Sequence, residues 1–141
     1  MKRRVLAFGS FDLLHPGHIS YLANARRLGT ELIVVVARDS SIRMFKGRRP
    51  LFGEGDRLRA IGSLRVVDRA ILGNRLSSKD GMYDIVRKLK PDVIAVGYDQ
   101  TDASGLRKGL AKRGIKAKVV VIPGYKTGRY KSSKIKRMMG I

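Results

Sequence analysis

The chain has 141 residues, no cysteine and a formal net charge of +20, from 31 lysines and arginines against 11 acidic residues. The length suits one domain, 1–141, with a core that needs no staples. The missing cysteine excludes disulfides and thiolate metal sites and suits a reduced, cytoplasmic setting. No apolar run is long enough to span a bilayer, and the four apolar residues after Met1-Lys2-Arg3-Arg4 are too few for a signal-peptide core, so no membrane partner is expected.

In chain order, apolar β-rich runs alternate with amphipathic ones. A strand over Arg4–Phe8 leads into the turn Gly9-Ser10-Phe11-Asp12-Leu13-Leu14-His15-Pro16-Gly17-His18. A helix over Gly17–Leu28 follows, with Ile19, Leu22, Ala23, Ala25 and Leu28 as its apolar stripe and Gly29 as a natural stop. The strand Glu31–Ala37 contains a continuously apolar run, Leu32 to Val36, as does the later strand Ala117–Ile122 over Val119 to Ile122. Such runs suit strands covered on both faces, as in a parallel sheet. Between them lie a long basic loop Arg38–Gly53, a helix Glu54–Leu64, a strand Arg69–Leu72, a helix Gly81–Leu89 closed by Pro91, a strand Asp92–Val96 and a helix Asp102–Arg113 closed by Gly114. A last helix covers Ser132–Met139.

This alternation predicts an α/β fold, a doubly wound, Rossmann-like parallel sheet of about five strands. Ligands of such sheets bind at the carboxyl ends of the strands, near the point where strand order reverses. The Gly9–His18 turn is one such end and Gly97-Tyr98-Asp99-Gln100 is another. Loops as long as Arg38–Gly53 commonly serve as binding loops or lids.

His15 and His18 are the two histidines of the chain, and three-residue spacing puts them on one face of a starting helix. Pro16 presets the first helical position and Gly17 allows close approach of a ligand. Backbone N–H groups at a helix start attract anions, so the histidines read as phosphate ligands rather than a metal pair, which would want another spacing and carboxylates. The net charge points to polyanions. The basic residues are spread along the whole chain, which favours a solvated surface receiving small phosphorylated substrates over a dedicated nucleic-acid-binding module.

The segment Gly9–His18 resembles the G-[ST]-F-D-x-x-H-x-G-H signature of the cytidylyltransferase-like nucleotidylyltransferases, whose sheet is of the HUP type. These enzymes transfer AMP or CMP from a nucleoside triphosphate to a phosphate-bearing acceptor. Lys126-Thr127-Gly128-Arg129-Tyr130-Lys131-Ser132-Ser133 resembles a degraded form of the family's second signature, R-T-x-G-I-S-T/S-T. Within the family, Val36-Ala37-Arg38-Asp39, Lys46-Gly47-Arg48-Arg49-Pro50 and Gly97-Tyr98-Asp99-Gln100 are most similar to archaeal-type FAD synthases, which adenylylate FMN. Glycerol-3-phosphate cytidylyltransferases are the alternative.

The resemblance implies roles. The backbone of Ser10 and Phe11, with His15, Pro16, Gly17 and His18, would hold the triphosphate. Asp99 and Tyr125 would contact the nucleotide, Ser132 and Ser133 would bond phosphate, and Lys46 would neutralise its charge. Lys126 stands where the motif has Arg, giving up bidentate geometry, with Arg129 near enough in sequence to compensate. ATP and FMN would be the substrates, Mg²⁺ would arrive with ATP, and the enzyme would be a homodimer. Simpler roles compete at several positions. Asp99 could cap the following helix, Ser132 and Ser133 could cap the last one, Tyr98 and Tyr125 could be half-buried packing residues, and Asp12 is expected to brace its turn through backbone bonds.

Overall fold

A computed structural model of the protein describes residues 2–74, 81–99, 102–126 and 132–140, apart from the side chain of Ser132. Its strands are β1 (Arg4–Gly9), β2 (Glu31–Val36), β3 (Arg69–Leu72), β4 (Val93–Gly97) and β5 (Lys118–Ile122). Its helices are α1 (Pro16–Arg26), α2 (Asp39–Lys46), α3 (Glu54–Gly62), α4 (Gly81–Leu89), α5 (Ala103–Lys112) and α6 (Ser132–Met139).

The strands form one parallel sheet in the order β3-β2-β1-β4-β5. Alternation of side chains along each strand divides the core into two layers. Val5, Ala7, Leu32 and Val34 pack with Leu22 and Ala25 of α1 and Ile61 of α3 on one face. Leu6, Ile33, Val35 and Ile94 pack with Ile85, Val86 and Leu89 of α4 and Leu106 and Leu110 of α5 on the other. The chain therefore winds outward from β1 in both directions, and strand order reverses between β1 and β4. A crevice opens at the carboxyl ends there.

Apolar runs report sheet position only in part. β2 lies between two neighbours and is buried from Leu32 to Val36. β5 has an equally apolar run but lies at the sheet edge, and Val121 is 43% exposed. The Arg38–Gly53 segment is likewise not one long loop. Asp39–Lys46 forms α2, which buries Ser41 and Ile42 and ends at Gly47, whose φ of 71° is the left-handed conformation glycine adopts freely. The Asp39 N–H at its start is satisfied from outside, by the Glu54 carboxylate at 2.9 Å.

Helix α1, whose start faces the crevice, is fixed at mid-length by Tyr21. Its hydroxyl donates to the Ala95 carbonyl of β4 at 2.8 Å, and burial pushes its phenol well above the usual tyrosine range. Leu22 and Ala25 are fully buried on the same side, whereas Ile19 of the expected stripe is 40% exposed. Full burial of a leucine side chain contributes about 2–3 kcal/mol. Gly29 does not stop the helix, which ends at Arg26. A Cβ at position 29 would run into the Arg3 carbonyl, so it is glycine because the backbones meet there.

Candidate nucleotide-binding site

The turn after β1 is wound around one aromatic ring. Phe11 is 5% exposed with φ of 52°, and its ring lies where a Cβ on Gly9 would meet it at 2.6 Å. His15 then caps α1: its Nδ1 accepts the Gly17 N–H at 3.0 Å, and Pro16 occupies the first turn. With Nδ1 acting as acceptor, a neutral His15 carries its proton on Nε2. Its carbonyl accepts from the N–H groups of His18 and Ile19, so the first turn of α1 is bonded through His15.

His18 stacks on His15, with ring centroids 3.8 Å apart, and meets the Phe11 ring edge-on at 5.3 Å. Burial pushes the His18 imidazole down to about 3, helped by the charges of His15 and Lys46. Burial also lowers His15, against a smaller upward pull from Asp99. Both rings are therefore neutral at physiological pH. The His18 Nδ1 atom is buried and has no hydrogen-bond partner among the described residues.

From α2, the Lys46 ammonium reaches the Ser10 hydroxyl at 3.2 Å. Burial and Arg48 lower its pKa, while Asp12 and Asp99 act the other way. The crevice thus combines neutral imidazoles with a lysine cation beside a helix N-terminus, a fitting set for phosphate oxygens.

A cleft of about 1030 Å³ runs over this floor. It is lined by Ser10, Phe11, His15, Gly17, His18, Lys46, Asp99, Tyr125 and Ser133 of the residues singled out from sequence. Pro16 and Lys126 are not part of its wall. Lys126 stands with its ammonium 5.5 Å from the centre of the Tyr125 ring. Asp99 does not cap α5, because Asp102 holds the N-cap position. Tyr98 and Tyr125 are 43% and 42% exposed, so neither is a packing residue of the core. Gln100, Thr127, Gly128, Arg129, Tyr130 and Lys131 lie outside the described residues, as does the side chain of Ser132.

Three residues of this region were not legible as site residues. Arg57 of α3 is 1% exposed, and its guanidinium donates to the carbonyls of Phe52, Ser10 and Ala37 and to the Asp39 carboxylate, at 2.7 to 2.8 Å. It therefore joins the β1 turn to both ends of the segment after β2. Asp12 braces more than its own turn: it accepts the Phe52 N–H at 3.0 Å and pairs with Lys136 of α6. Burial pushes its carboxyl up, but Lys136 and the backbone N–H groups of Leu51 and Phe52 outweigh it and hold the group below the usual carboxylate range. Among the described residues no group of three or more His, Asp or Glu side chains is placed to hold a metal ion.

Residues 6–138 match the cytidylyltransferase-like family. The chain belongs to that family. It is 50% identical over 121 residues to an FAD synthase of Methanosarcina mazei, an alignment covering 85% of this chain and 76% of the relative. The crystal structure of a lipopolysaccharide core biosynthesis protein of Thermoplasma volcanium superposes with a TM-score of 0.82 at 47% identity, covering 89% of this chain and all of the other. A pantoate-beta-alanine ligase of Francisella tularensis shares the fold at a TM-score of 0.63 and 14% identity, over 99% of this chain and 71% of the ligase. The Rossmann-like sheet is thus that of the HUP-fold nucleotidyltransferases.

Proposed function

We propose that this family member is an FAD synthase, transferring AMP from ATP to FMN and releasing pyrophosphate. The observation that carries the reading is the 50% identity to an FAD synthase along 85% of the chain. It favours this reaction over the glycerol 3-phosphate alternative, whose floor for the triphosphate would be similar.

In the reaction, a phosphate oxygen of FMN attacks the α-phosphorus of ATP. The new P–O bond forms as the bond to the β-phosphate oxygen breaks, and the electron pair leaves with pyrophosphate. Negative charge grows on the leaving group, so fixed donors and cations there lower the barrier. The proton on His15 Nε2 is available to a phosphate oxygen, since Nδ1 is engaged by Gly17. His18 backs His15 by stacking, and Lys46 brings positive charge from α2. No side-chain nucleophile is needed, since the acceptor supplies its own. Ser10, Phe11, Pro16 and Gly17 shape the triphosphate cradle in this reading, Asp99, Tyr125 and Lys126 serve the nucleoside side, and Ser132 and Ser133 meet phosphate at the start of α6.

Among the described residues the side chains in the cleft form no group of three or more metal-ligating residues. Mg²⁺ would be held mainly by triphosphate oxygens and water, and it would supply further positive charge to the leaving group. The same reading takes the chain as one catalytic domain, acting as a homodimer in the cytoplasm. No helix among the described residues is long and apolar enough to cross a membrane.

Purified protein incubated with ATP, Mg²⁺ and FMN is expected to form FAD, separated by chromatography. Reaction with CTP and glycerol 3-phosphate instead would overturn the assignment. Sedimentation at twice the chain mass is the expected outcome for the dimer.

A further inference from the structure

The cleft is larger than its phosphate floor requires. Single ligands of drug size fill roughly 300–1,000 Å³, and this cleft reaches about 1030 Å³. Its extra wall is made of core residues. Phe8 of β1, Val35 of β2, and Met82 and Ile85 of α4 line the cleft while belonging to, or packing against, the apolar layer on the α4 face. Phe8 and Met82 are each only partly buried there, so the core opens into the cleft at the first turn of α4. Across the cleft, beyond β1, polar groups enter the wall: Tyr98 and Asp99 after β4, Tyr125 after β5, and Ser133 and Lys136 of α6, beside the apolar Val96, Leu106 and Ile122.

Phosphate gains nothing from an apolar wall, whereas a flat aromatic ring laid on one recovers about 25 cal/mol for each Å² it covers. The two histidines and Lys46 line the same cleft and supply the floor for the reacting phosphates. We propose that the Phe8–Val35–Met82–Ile85 wall is the subsite for the aromatic ring system of the acceptor, with Met82 a specificity-determining residue. This rests on the FAD synthase reading, in which that ring is the isoalloxazine of FMN. An acceptor without a ring, such as glycerol 3-phosphate, has no use for the wall.

Two measurements test it. Lumichrome, a flavin ring system without the ribityl phosphate, is expected to inhibit FAD formation competitively with FMN and not with ATP. Met82→Lys places a charge against the ring, so FMN and lumichrome should both bind at least about tenfold more weakly, read by flavin fluorescence. ATP affinity, read by thermal shift, should move less than about twofold. Lumichrome competing with ATP, or failing to compete with FMN, overturns the subsite, as does a folded Met82→Lys protein with wild-type FMN affinity. Should that variant not fold, the lumichrome result on the wild-type protein decides alone. Failure of the wild-type protein to make any FAD is a different outcome: it removes the functional reading, and the subsite with it.

Discussion

The Gly9–His18 turn and the Arg38–Gly53 segment line the same cleft, yet they are held in shape by different means. The turn is bonded largely to itself, with His15 accepting from Gly17, the His15 carbonyl closing the first helical turn, and Phe11 filling the space Gly9 leaves, while Arg57 holds its Ser10 carbonyl and Asp12 reaches Phe52 and Lys136. The segment is held from outside. Glu54 satisfies the start of α2, Arg57 collects the Ala37 and Phe52 carbonyls, and Asp12 holds the Phe52 N–H. Damage to the turn should therefore be chemical, lost rate on an intact fold. Damage to the braces of the segment should be conformational.

The sharpest way to break this contrast is Arg57→Met. Removing a buried guanidinium leaves three carbonyls without their donor, and loss of one partner from a buried charged network costs about 3–5 kcal/mol. Denaturant unfolding should show that loss, with activity falling in the residual folded protein. A variant as stable as wild type would mean that the segment holds itself.

His15→Ala should do the reverse. Losing one preorganised donor costs about a hundredfold or more in rate, while loss of the cap on α1, about 1 kcal/mol, should lower the melting temperature by only a few degrees. Steady-state FAD formation and a thermal melt on the same sample check both halves. His18→Ala should also slow transfer, through loss of the ring stacked on His15. Rates within threefold of wild type in both variants would deprive the turn of its role.

A pH titration sharpens the picture further. Unfolded, His18 takes its proton near 6.5, but in the fold burial delays this to about 3. Stability is therefore full above about pH 6.5 and is lost as pH falls toward 3, because the unfolded chain binds the extra proton. The loss is on the order of 5 kcal/mol, and His18→Asn should flatten this acid limb. An acid limb unchanged in His18→Asn would show that the buried ring is not its source.

The smallest expected effect is that of Tyr125→Phe at the exposed rim, where loss of one hydroxyl contact should raise the KM for ATP by about tenfold or less. No change in KM would place the hydroxyl outside the nucleotide contact.

The difference between the two regions also explains what could be read in advance. Ten contiguous residues determine the turn, so its spacing, Pro16 and the paired histidines were legible, as were all five strands. Helix α2 was not, because eight residues rich in Ser, Arg and Lys make too short and polar a run to announce a helix. Its start is satisfied by Glu54, fifteen positions along the chain. Arg57 gave no signal either: in a chain with 31 basic residues, nothing local marks the one whose guanidinium is drawn inside. Lys136 pairs with Asp12 across 124 positions, a partnership that only the fold creates.

The contact between Gly9 and Phe11 carries a consequence for sequence variation. A methyl group at position 9 would stand 2.6 Å from the Phe11 ring, so neither position can drift alone. A chain gaining a side chain at the first site would need a smaller residue at the second, and that smaller residue would withdraw the edge that Phe11 sets against His18. The two sites are thus constrained jointly, and the imidazole pair is what any compensated exchange would put at risk.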